Sequence, residues 1–263
     1  MVSYAPNVSW LFPETLFSER PKLVSQAGCR ALEFGFPSHA DIPALEVAVR
    51  DLGLEVVLFN QDVPVWDAAN RGYLVDRRRK DEFRRTLDQA LEICRRLGAT
   101  KVMLPAGVEL PGVERQEQQA CMLENLRLAA PLAADAGVVL TLEVLNPTDN
   151  PGYFLTTPVE ARQVVEALGH PAVRMQLDTY HLGLLGYDPA DEIRRHAGWI
   201  GHIQFADYPG RHEPGSGGLD FVGIRAAVEA IGYDGYIGLE YIPLQAGART
   251  LAWAQAEPAG KSY

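Results

Sequence analysis

Short apolar segments rich in Val, Ile, Leu and Phe alternate along the chain with longer segments whose apolar residues recur at helical spacing. This alternation is typical of parallel strands joined by helices. It predicts eight strands, at Tyr4 to Ser9, Ala31 to Phe36, Glu55 to Asn60, Lys101 to Pro105, Val138 to Leu145, Val173 to Asp178, Ile200 to Phe205 and Tyr236 to Tyr241. Eight such units predict an α/β fold closed into a (β/α)8 barrel, or TIM barrel.

Helix-boundary signals support this division of the chain. Thr157 is expected to cap a helix, with Pro158 in its first turn and Glu160 returning a hydrogen bond to the cap. Asp188 and Asp220 are predicted to cap later helices. Four glycines stand where helices should end, namely Gly98, Gly137, Gly169 and Gly232.

The length indicates one domain. The chain has 263 residues, and a single (β/α)8 barrel typically needs roughly 250. No interdomain linker is evident, so we expect one domain over residues 1–263. Two loops are longer than a barrel turn requires, Gln61 to Arg79 and Asp207 to Asp220. Long loops after barrel strands usually carry function.

Composition narrows the class of protein. The net charge of -10 argues against nucleic acid as a partner, because binding to phosphate requires clusters of Lys and Arg. No apolar window is long enough to span a membrane, and Met1 to Trp10 does not resemble a signal peptide, so we expect a cytoplasmic protein. The three cysteines show no CxxC spacing, which disfavours disulfides and thiolate metal sites; Cys94 is expected in the core.

Four side chains with oxygen ligands lie at or near the C-terminal ends of predicted strands five to eight: Glu143, Asp178, Gln204 and Glu240. Active sites of (β/α)8 barrels form at this end of the strands, so the four should converge. They could instead be salt-bridged barrel residues. Without a cation, however, three converging carboxylates would repel one another, and one would have to take up a proton. We therefore expect a divalent cation, and oxygen-only ligation favours Mg²⁺ or Mn²⁺ over zinc.

Such a site indicates a reaction type. Four protein ligands leave two of six octahedral positions open. The neighbouring carbonyl and hydroxyl oxygens of an α-hydroxy ketone could fill them, which is the arrangement that an aldose–ketose isomerisation requires.

At these residues the sequence resembles the hydroxypyruvate isomerase family, within the xylose-isomerase-like barrel superfamily. The similar segments cover residues 141–143, 176–181, 201–204, 209–215 and 238–243, and the resemblance extends over nearly the whole chain. Gln204 and the GRHEPG stretch are the more specific parts of the resemblance. Related ketose 3-epimerases usually carry His at the position of Gln204. Gly218 departs from the acidic residue expected there, which leaves the substrate preference open.

The resemblance implies that Glu143 and Glu240 act as paired proton donor and acceptor, and that Glu143, Asp178, Gln204 and Glu240 bind Mg²⁺. The expected reaction interconverts hydroxypyruvate and tartronate semialdehyde (2-hydroxy-3-oxopropanoate) through a cis-enediolate. Which glutamate acts first is left open.

Other residues are candidates for holding a small hydroxy-keto acid. His181 could hydrogen-bond a substrate oxygen, although it could equally pack the loop. Arg211 and Arg71 lie in the two long loops and could bind the substrate carboxylate. Trp66 could close over the substrate or cap the core.

The two-residue period of a strand extends the prediction inward. If Asp178 and Gln204 face the barrel interior, then Arg174 and His202 do so as well, and Glu33 could join them from strand two. Since a buried charge needs a partner, we hypothesise a network of Glu33, Arg174 and His202 that supports the metal ligands from below.

Other functions are compatible with such a barrel. A 2-oxotetronate isomerase or a ketose 3-epimerase could use the same site. A zinc apurinic-site endonuclease shares the barrel and the stretch from Asp178 to His181, but its three zinc ions need more histidines at strand ends than this acidic chain, with six in all, offers. A non-catalytic sugar-acid binding protein would have little use for an acid and base pair. A homo-oligomer is compatible with the sequence.

Overall fold

The computed structural model describes residues 2–255, apart from the side chains at 248 and 255. Its eight strands are β1 (Ser3–Pro6), β2 (Ala31–Phe34), β3 (Glu55–Asn60), β4 (Lys101–Met103), β5 (Val139–Glu143), β6 (Val173–Asp178), β7 (Ile200–Phe205) and β8 (Tyr236–Leu239). The α-helices described are α1 (Arg20–Gln26), α2 (Ile42–Leu52), α3 (Lys80–Leu97), α4 (Arg115–Asp135), α5 (Pro158–Leu168), α6 (Thr179–Leu184), α7 (Pro189–Arg195), α8 (Phe221–Ala230) and α9 (Ala252–Gln255). Short 3₁₀ segments lie at Phe17–Glu19, Pro37–His39, Arg77–Arg79 and Gly247–Leu251.

The strands form one parallel sheet that closes on itself. Each strand from β2 to β8 pairs with the next, and β8 pairs with β1. Between β1 and β2 the contact is a single bridge, Asn7 to Glu33, where the Val8 N–H donates to the Glu33 carbonyl at 2.8 Å. The expected (β/α)8 barrel is confirmed. The expected domain of residues 1–263 extends beyond the described residues at both ends.

Five strands, β1, β2, β4, β5 and β8, end two or three residues earlier than the hydrophobic pattern predicts, and two of these ends change the local structure at the site. β1 stops at Pro6, because the Asn7 side chain accepts the Ser9 N–H at 3.0 Å and turns the backbone out of the sheet. β8 stops at Leu239, which places Glu240 in the first position of the following loop. Both changes lie at the C-terminal rim, where the chain leaves the barrel.

The helix boundaries follow the sequence signals. Thr157 and Glu160 form the expected capping box on α5. Asp188 and Asp220 accept backbone N–H groups at the starts of α7 and α8. Gly98, which follows α3, adopts φ of 66°, a left-handed conformation that L residues with a side chain rarely take.

The apolar core lies between the sheet and the helices, whereas the barrel interior is polar at mid-height. Cys94 belongs to the core, as expected. Glu33, Gln176, His202 and Gln204 are all buried inside the barrel. Among residues 2–255, no helix combines the length and the hydropathy that a membrane crossing requires.

Candidate active site

Three carboxylates converge at the C-terminal end of the barrel. Glu143 ends β5, Asp178 ends β6 and Glu240 follows β8, and their residues are 4%, 1% and 7% exposed. Glu143 and Glu240 line a cavity of about 470 Å³ together with His181 and Arg211. Predicted residues from two strands, helix α6 and two loops therefore lie close together.

Arg211 neutralises part of this negative charge. Its Nη2 donates to Asp178 Oδ2 and to Glu240 Oε2, both at 3.1 Å. The guanidinium also lies 4.3 Å from the centre of the Trp10 ring and 5.2 Å from that of Tyr180. Arg211 was expected to bind a substrate carboxylate, but here it binds carboxylates of the protein.

Burial and mutual repulsion disfavour ionisation of the three acids. Desolvation, with a further contribution from Glu240 and Asp178, raises the pKa of Glu143 well above its usual range. Desolvation raises the pKa of Asp178 to about 7, although Arg211 opposes it. The pKa of Glu240 is also raised to about 7, again mainly by desolvation. With pKa values of about 7, Asp178 and Glu240 can both accept and donate protons near neutral pH.

One carboxylate oxygen has no hydrogen-bond partner in the described part of the chain. Glu143 Oε1 is buried and receives no donor. Ligand atoms of Glu143, Asp178 and His181 lie within 4.8 Å of one another, close enough to surround a single ion. A buried oxygen without a donor is unfavourable, so this position suits a cation or a substrate hydroxyl.

The hydrogen bonds of Asn146 determine the protonation of His181. The Asn146 Oδ1 accepts the Asp149 N–H at 2.8 Å, and its Nδ2 donates to Asp149 Oδ2 at 3.0 Å, which fixes the orientation of the amide. The same Nδ2 lies 2.7 Å from His181 Nδ1, and the Asn146 N–H donates to this nitrogen at 3.4 Å. Nδ1 is therefore an acceptor, and the proton resides on Nε2, 3.8 Å from Asp178 Oδ2.

His181 is consequently a neutral hydrogen-bond donor to the site. Burial lowers its pKa well below the usual range, so it does not gain a second proton near neutral pH. A nitrogen that carries a proton cannot ligate a metal ion. The tautomer thus favours the expected bond to a substrate oxygen over membership in a metal site.

Gln204 lies below the carboxylates with its amide held at both ends. Its Nε2 donates to Glu33 Oε2 at 2.8 Å, and its Oε1 accepts from Gln176 Nε2 at 2.8 Å. The Gln176 Oε1 in turn accepts the Thr141 hydroxyl at 2.8 Å. With its Nε2 directed to Glu33 and its Oε1 to Gln176, the amide has one orientation, and the second lone pair of Oε1 is available to a ligand.

The supporting network differs from the expected one in one member. Glu33 Oε1 lies 2.6 Å from His202 Nε2, as expected, but Lys101 Nζ lies 3.4 Å from His202 Nδ1 where Arg174 was predicted. Arg174 is half-buried, and it is not among the side-chain partners found for Glu33 and His202 in the described residues. The predicted contact of Arg174 with this network is therefore not found.

A packing constraint explains the difference. The register between β6 and β7 shifts at Met175/Gln176, and Arg174 lies against Gly201, where an added Cβ would meet the Arg174 Cβ at 2.5 Å. This places Arg174 below the network. Lys101, the first residue of β4, faces inward two positions before Met103. The two-residue period of a strand could have identified Lys101, which the sequence reasoning missed.

The long loop 61–79 contributes Trp66 and Arg71. Trp66 lines the cavity and contacts Phe36, with ring centres 5.3 Å apart. The Arg71 guanidinium lies 5.3 Å from the Trp66 ring centre, and its Nη1 donates to Asn150 Oδ1 at 2.6 Å. Asn150, which also lines the cavity, was not predicted, because a polar residue in a loop gives no periodic signal.

Comparison with known proteins places this architecture among isomerases. Residues 21–256 match the family described as xylose isomerase-like TIM barrel. The 2-oxo-tetronate isomerase of Cupriavidus necator is 34% identical over 253 residues, covering 96% of this chain and 97% of that protein. The hydroxypyruvate isomerase of Escherichia coli is 32% identical over 253 residues, covering 96% and 98%.

A solved structure agrees in fold over the whole length. The crystal structure of a family 2 AP endonuclease from Brucella melitensis is 33% identical, with a TM-score of 0.92, and the match covers 98% of this chain and 100% of that one. The resemblance drawn from the sequence motifs is confirmed, and so is the expectation of an isomerase. With its full-length relatives and its matching barrel, the chain belongs to the xylose isomerase-like TIM barrel family.

Proposed function

We propose that the protein is a metal-assisted isomerase that interconverts hydroxypyruvate and tartronate semialdehyde. The observation that carries this proposal is the pair Glu143 and Glu240, two buried carboxyl groups with raised pKa values that face one cavity. The relative from E. coli is named for hydroxypyruvate. A cavity of about 470 Å³ is ample for a short hydroxy-keto acid.

The reaction moves one hydrogen between neighbouring carbons. One glutamate takes the proton from C3 of hydroxypyruvate, which leaves a cis-enediolate, and the other glutamate gives a proton to C2. The C3 hydroxyl proton departs as the C3 carbonyl forms, and the C2 oxygen gains a proton to become a hydroxyl. The Nε2–H of His181 can stabilise the negative oxygen of the intermediate. The glutamates exchange roles in the reverse direction.

The donor set fits a divalent cation. Glu143 Oε1 lacks a hydrogen-bond partner among the described residues. The Arg211 guanidinium forms ion pairs with the carboxylates of Asp178 and Glu240. Glu143, Asp178, Gln204 and Glu240 would hold Mg²⁺ or Mn²⁺. When bound, such an ion polarises the substrate carbonyl and spreads negative charge. Its charge would also favour the ionised form of the glutamate that acts as the base.

A second candidate substrate is a 2-oxotetronate. The relative from C. necator is named for this substrate and is as similar to the chain as the relative named for hydroxypyruvate. The cavity also holds one further carbon without difficulty. A ketose 3-epimerase would need the same acid and base pair.

Two other classes are less well supported. An endonuclease with three zinc ions needs several histidines, whereas the cluster found among residues 2–255 contains His181 alone with carboxylates. Pure binding of a sugar acid does not require acid and base groups with raised pKa values. A cytoplasmic location and the absence of nucleic-acid partners stay predictions from the sequence.

Turnover of candidate substrates tests the proposal. We expect isomerisation of hydroxypyruvate, or of a 2-oxotetronate, with Mg²⁺ or Mn²⁺. Glu143→Gln and Glu240→Gln should each lower kcat by about 100-fold or more, because loss of a general acid or base removes that contribution. Glu166→Gln, on the outer surface of α5, is a matched control that should leave kcat unchanged. The rate of proton exchange at C3 in heavy water should fall in Glu143→Gln and Glu240→Gln and stay unchanged in Glu166→Gln.

The results separate the alternatives. Activity with 2-oxotetronates but not with hydroxypyruvate would change the substrate and keep the mechanism. Wild-type kcat in either glutamine variant would refute the two-glutamate mechanism.

A further inference from the structure

The positive groups around the cavity differ in how completely they are paired. Arg20 lines the cavity, but its Nε and Nη1 donate to the carbonyls of Thr15 and Val8 at 2.9 and 2.6 Å. Arg211 is held by two carboxylates of the site. Neither has its main hydrogen-bonding capacity available for an anion from solution.

Arg71 is different. It is buried, with 7% of its surface exposed, yet its Nη1 meets only the neutral Asn150 amide. Its Nε is buried without a hydrogen-bond partner among the described residues. Within residues 2–255 no ion pair to Arg71 is found, although the charge of Asp67 acts on it from a greater distance. A buried cation without a counter-charge is unfavourable unless an anion completes the site.

Arg71 contacts two residues that line the catalytic cavity. Trp66, whose ring lies under the guanidinium, and Asn150, which binds Nη1, both line the cavity that contains Glu143 and Glu240. An aromatic ring and an amide hold the guanidinium in place without cancelling its charge. The planar fork of an arginine suits a carboxylate, which can accept two N–H groups at once.

We propose that Arg71, held by Asn150 and Trp66, binds the carboxylate of the substrate and makes the site selective for hydroxy-keto acids over uncharged ketoses. The inference rests on the proposed function only in that the anion is taken to be the substrate's own carboxylate. Arg71 is thereby a specificity-determining residue, whereas Arg211 serves the carboxylates of the protein.

Binding of a compound that cannot isomerise tests the inference without catalysis. Glycerate carries a carboxylate and two hydroxyls but no carbonyl, and glycerol lacks the carboxylate. By calorimetry, we expect glycerate to bind the wild type far more tightly than glycerol. Arg71→Met should weaken glycerate binding roughly 10- to 100-fold, the range for loss of a charged hydrogen-bonding partner. Arg71→Lys, which keeps the charge and loses the fork, should show a smaller loss.

Two controls identify the cause. Arg77→Met removes the same charge from an exposed position beside Glu124 and should leave glycerate binding unchanged. Asn150→Ala keeps the charge of Arg71 but removes its partner, and it should weaken binding to an intermediate degree. Thermal unfolding of each variant shows whether the protein remains folded.

Kinetics then connect binding with selectivity. For an acid substrate, Arg71→Lys should raise KM more than it lowers kcat. Equal glycerate affinity in the wild type and Arg71→Lys and Arg71→Met would overturn the inference. Glycerate binding that depends on Arg71, in a protein that isomerises no hydroxy-keto acid, would uphold the anion site and refute the proposed function.

Discussion

At the scale of single residues, the chemistry of the site depends on side chains that hold other side chains. The Asn146 amide presents hydrogen to His181 Nδ1, and Glu33 Oε2 accepts the hydrogen of Gln204 Nε2. Each contact removes one of two orientations that the partner could adopt. The result is a donor at His181 Nε2 and an acceptor at Gln204 Oε1, both set before any substrate arrives.

The protonation of His181 can be observed directly. In protein labelled with ¹⁵N-histidine, long-range ¹H–¹⁵N correlation should show His181 with a bare Nδ1 and a protonated Nε2 near neutral pH, because Asn146 donates to Nδ1. Asn146→Ala removes the side-chain donor and should produce a mixture of tautomers. We expect kcat to fall by about tenfold, less than the loss on removing an oxyanion donor outright. The signal of His181 is identified by its absence from the spectrum of His181→Gln. A protonated Nδ1 in the wild type would contradict the assignment.

At the scale of elements, a glycine in one strand leaves room for the buried Glu33 carboxyl group of another strand. Gly238 of β8 faces Glu33 of β2, and a Cβ at position 238 would lie 2.1 Å from Glu33 Oε1. The glycine therefore leaves the space that the Glu33 carboxylate occupies. Through Glu33, it also affects the position of Gln204.

Gly238→Ala should lower the free energy of unfolding by about 1–3 kcal/mol, because the added methyl overpacks the interior. Urea denaturation measures the change. Gly198→Ala is the matched control, since no atom lies within 4 Å of its added Cβ, and it should unfold like the wild type. An unchanged stability in Gly238→Ala would show that Glu33 can move aside without loss.

At the scale of the whole molecule, buried acids couple stability to pH and to metal. The pKa of Glu33 is raised to about 8, mainly by desolvation, and those of Asp178 and Glu240 to about 7. In the unfolded chain these groups return to ordinary values near 4. Between the two ranges the folded protein binds more protons than the unfolded chain, so its stability falls as pH rises.

We expect the free energy of unfolding, measured with urea in EDTA, to be largest near pH 5 and to fall until about pH 8. Mg²⁺ or Mn²⁺ should restore much of the loss at pH 8, because a cation that binds only the folded state stabilises it. Glu33→Gln, which removes one of the groups, should flatten the dependence on pH. Stability that rises from pH 5 to 8 in EDTA would contradict the account of these acids.

The comparison with the sequence prediction shows where local patterns suffice. Asp188 and Asp220 cap helices as predicted, since a cap needs only neighbouring backbone N–H groups. Glu143 and Asp178 lie where predicted, because parallel strands in a closed barrel all present their C-terminal ends on one rim. The predicted contact of Arg174 is not found among the described residues, where Lys101 lies beside His202 instead.

The sequence by itself determined the order of strands and helices, the family, and the set of acids at the rim, because each of these follows from periodicity or from a short motif. The tertiary structure alone decided that Asn146 donates to His181 Nδ1, which leaves the proton of His181 on Nε2, and that Arg211 is paired with protein carboxylates while Arg71 is not. These outcomes depend on contacts between residues far apart in the chain. Such contacts are fixed by packing across the barrel, which no local pattern encodes.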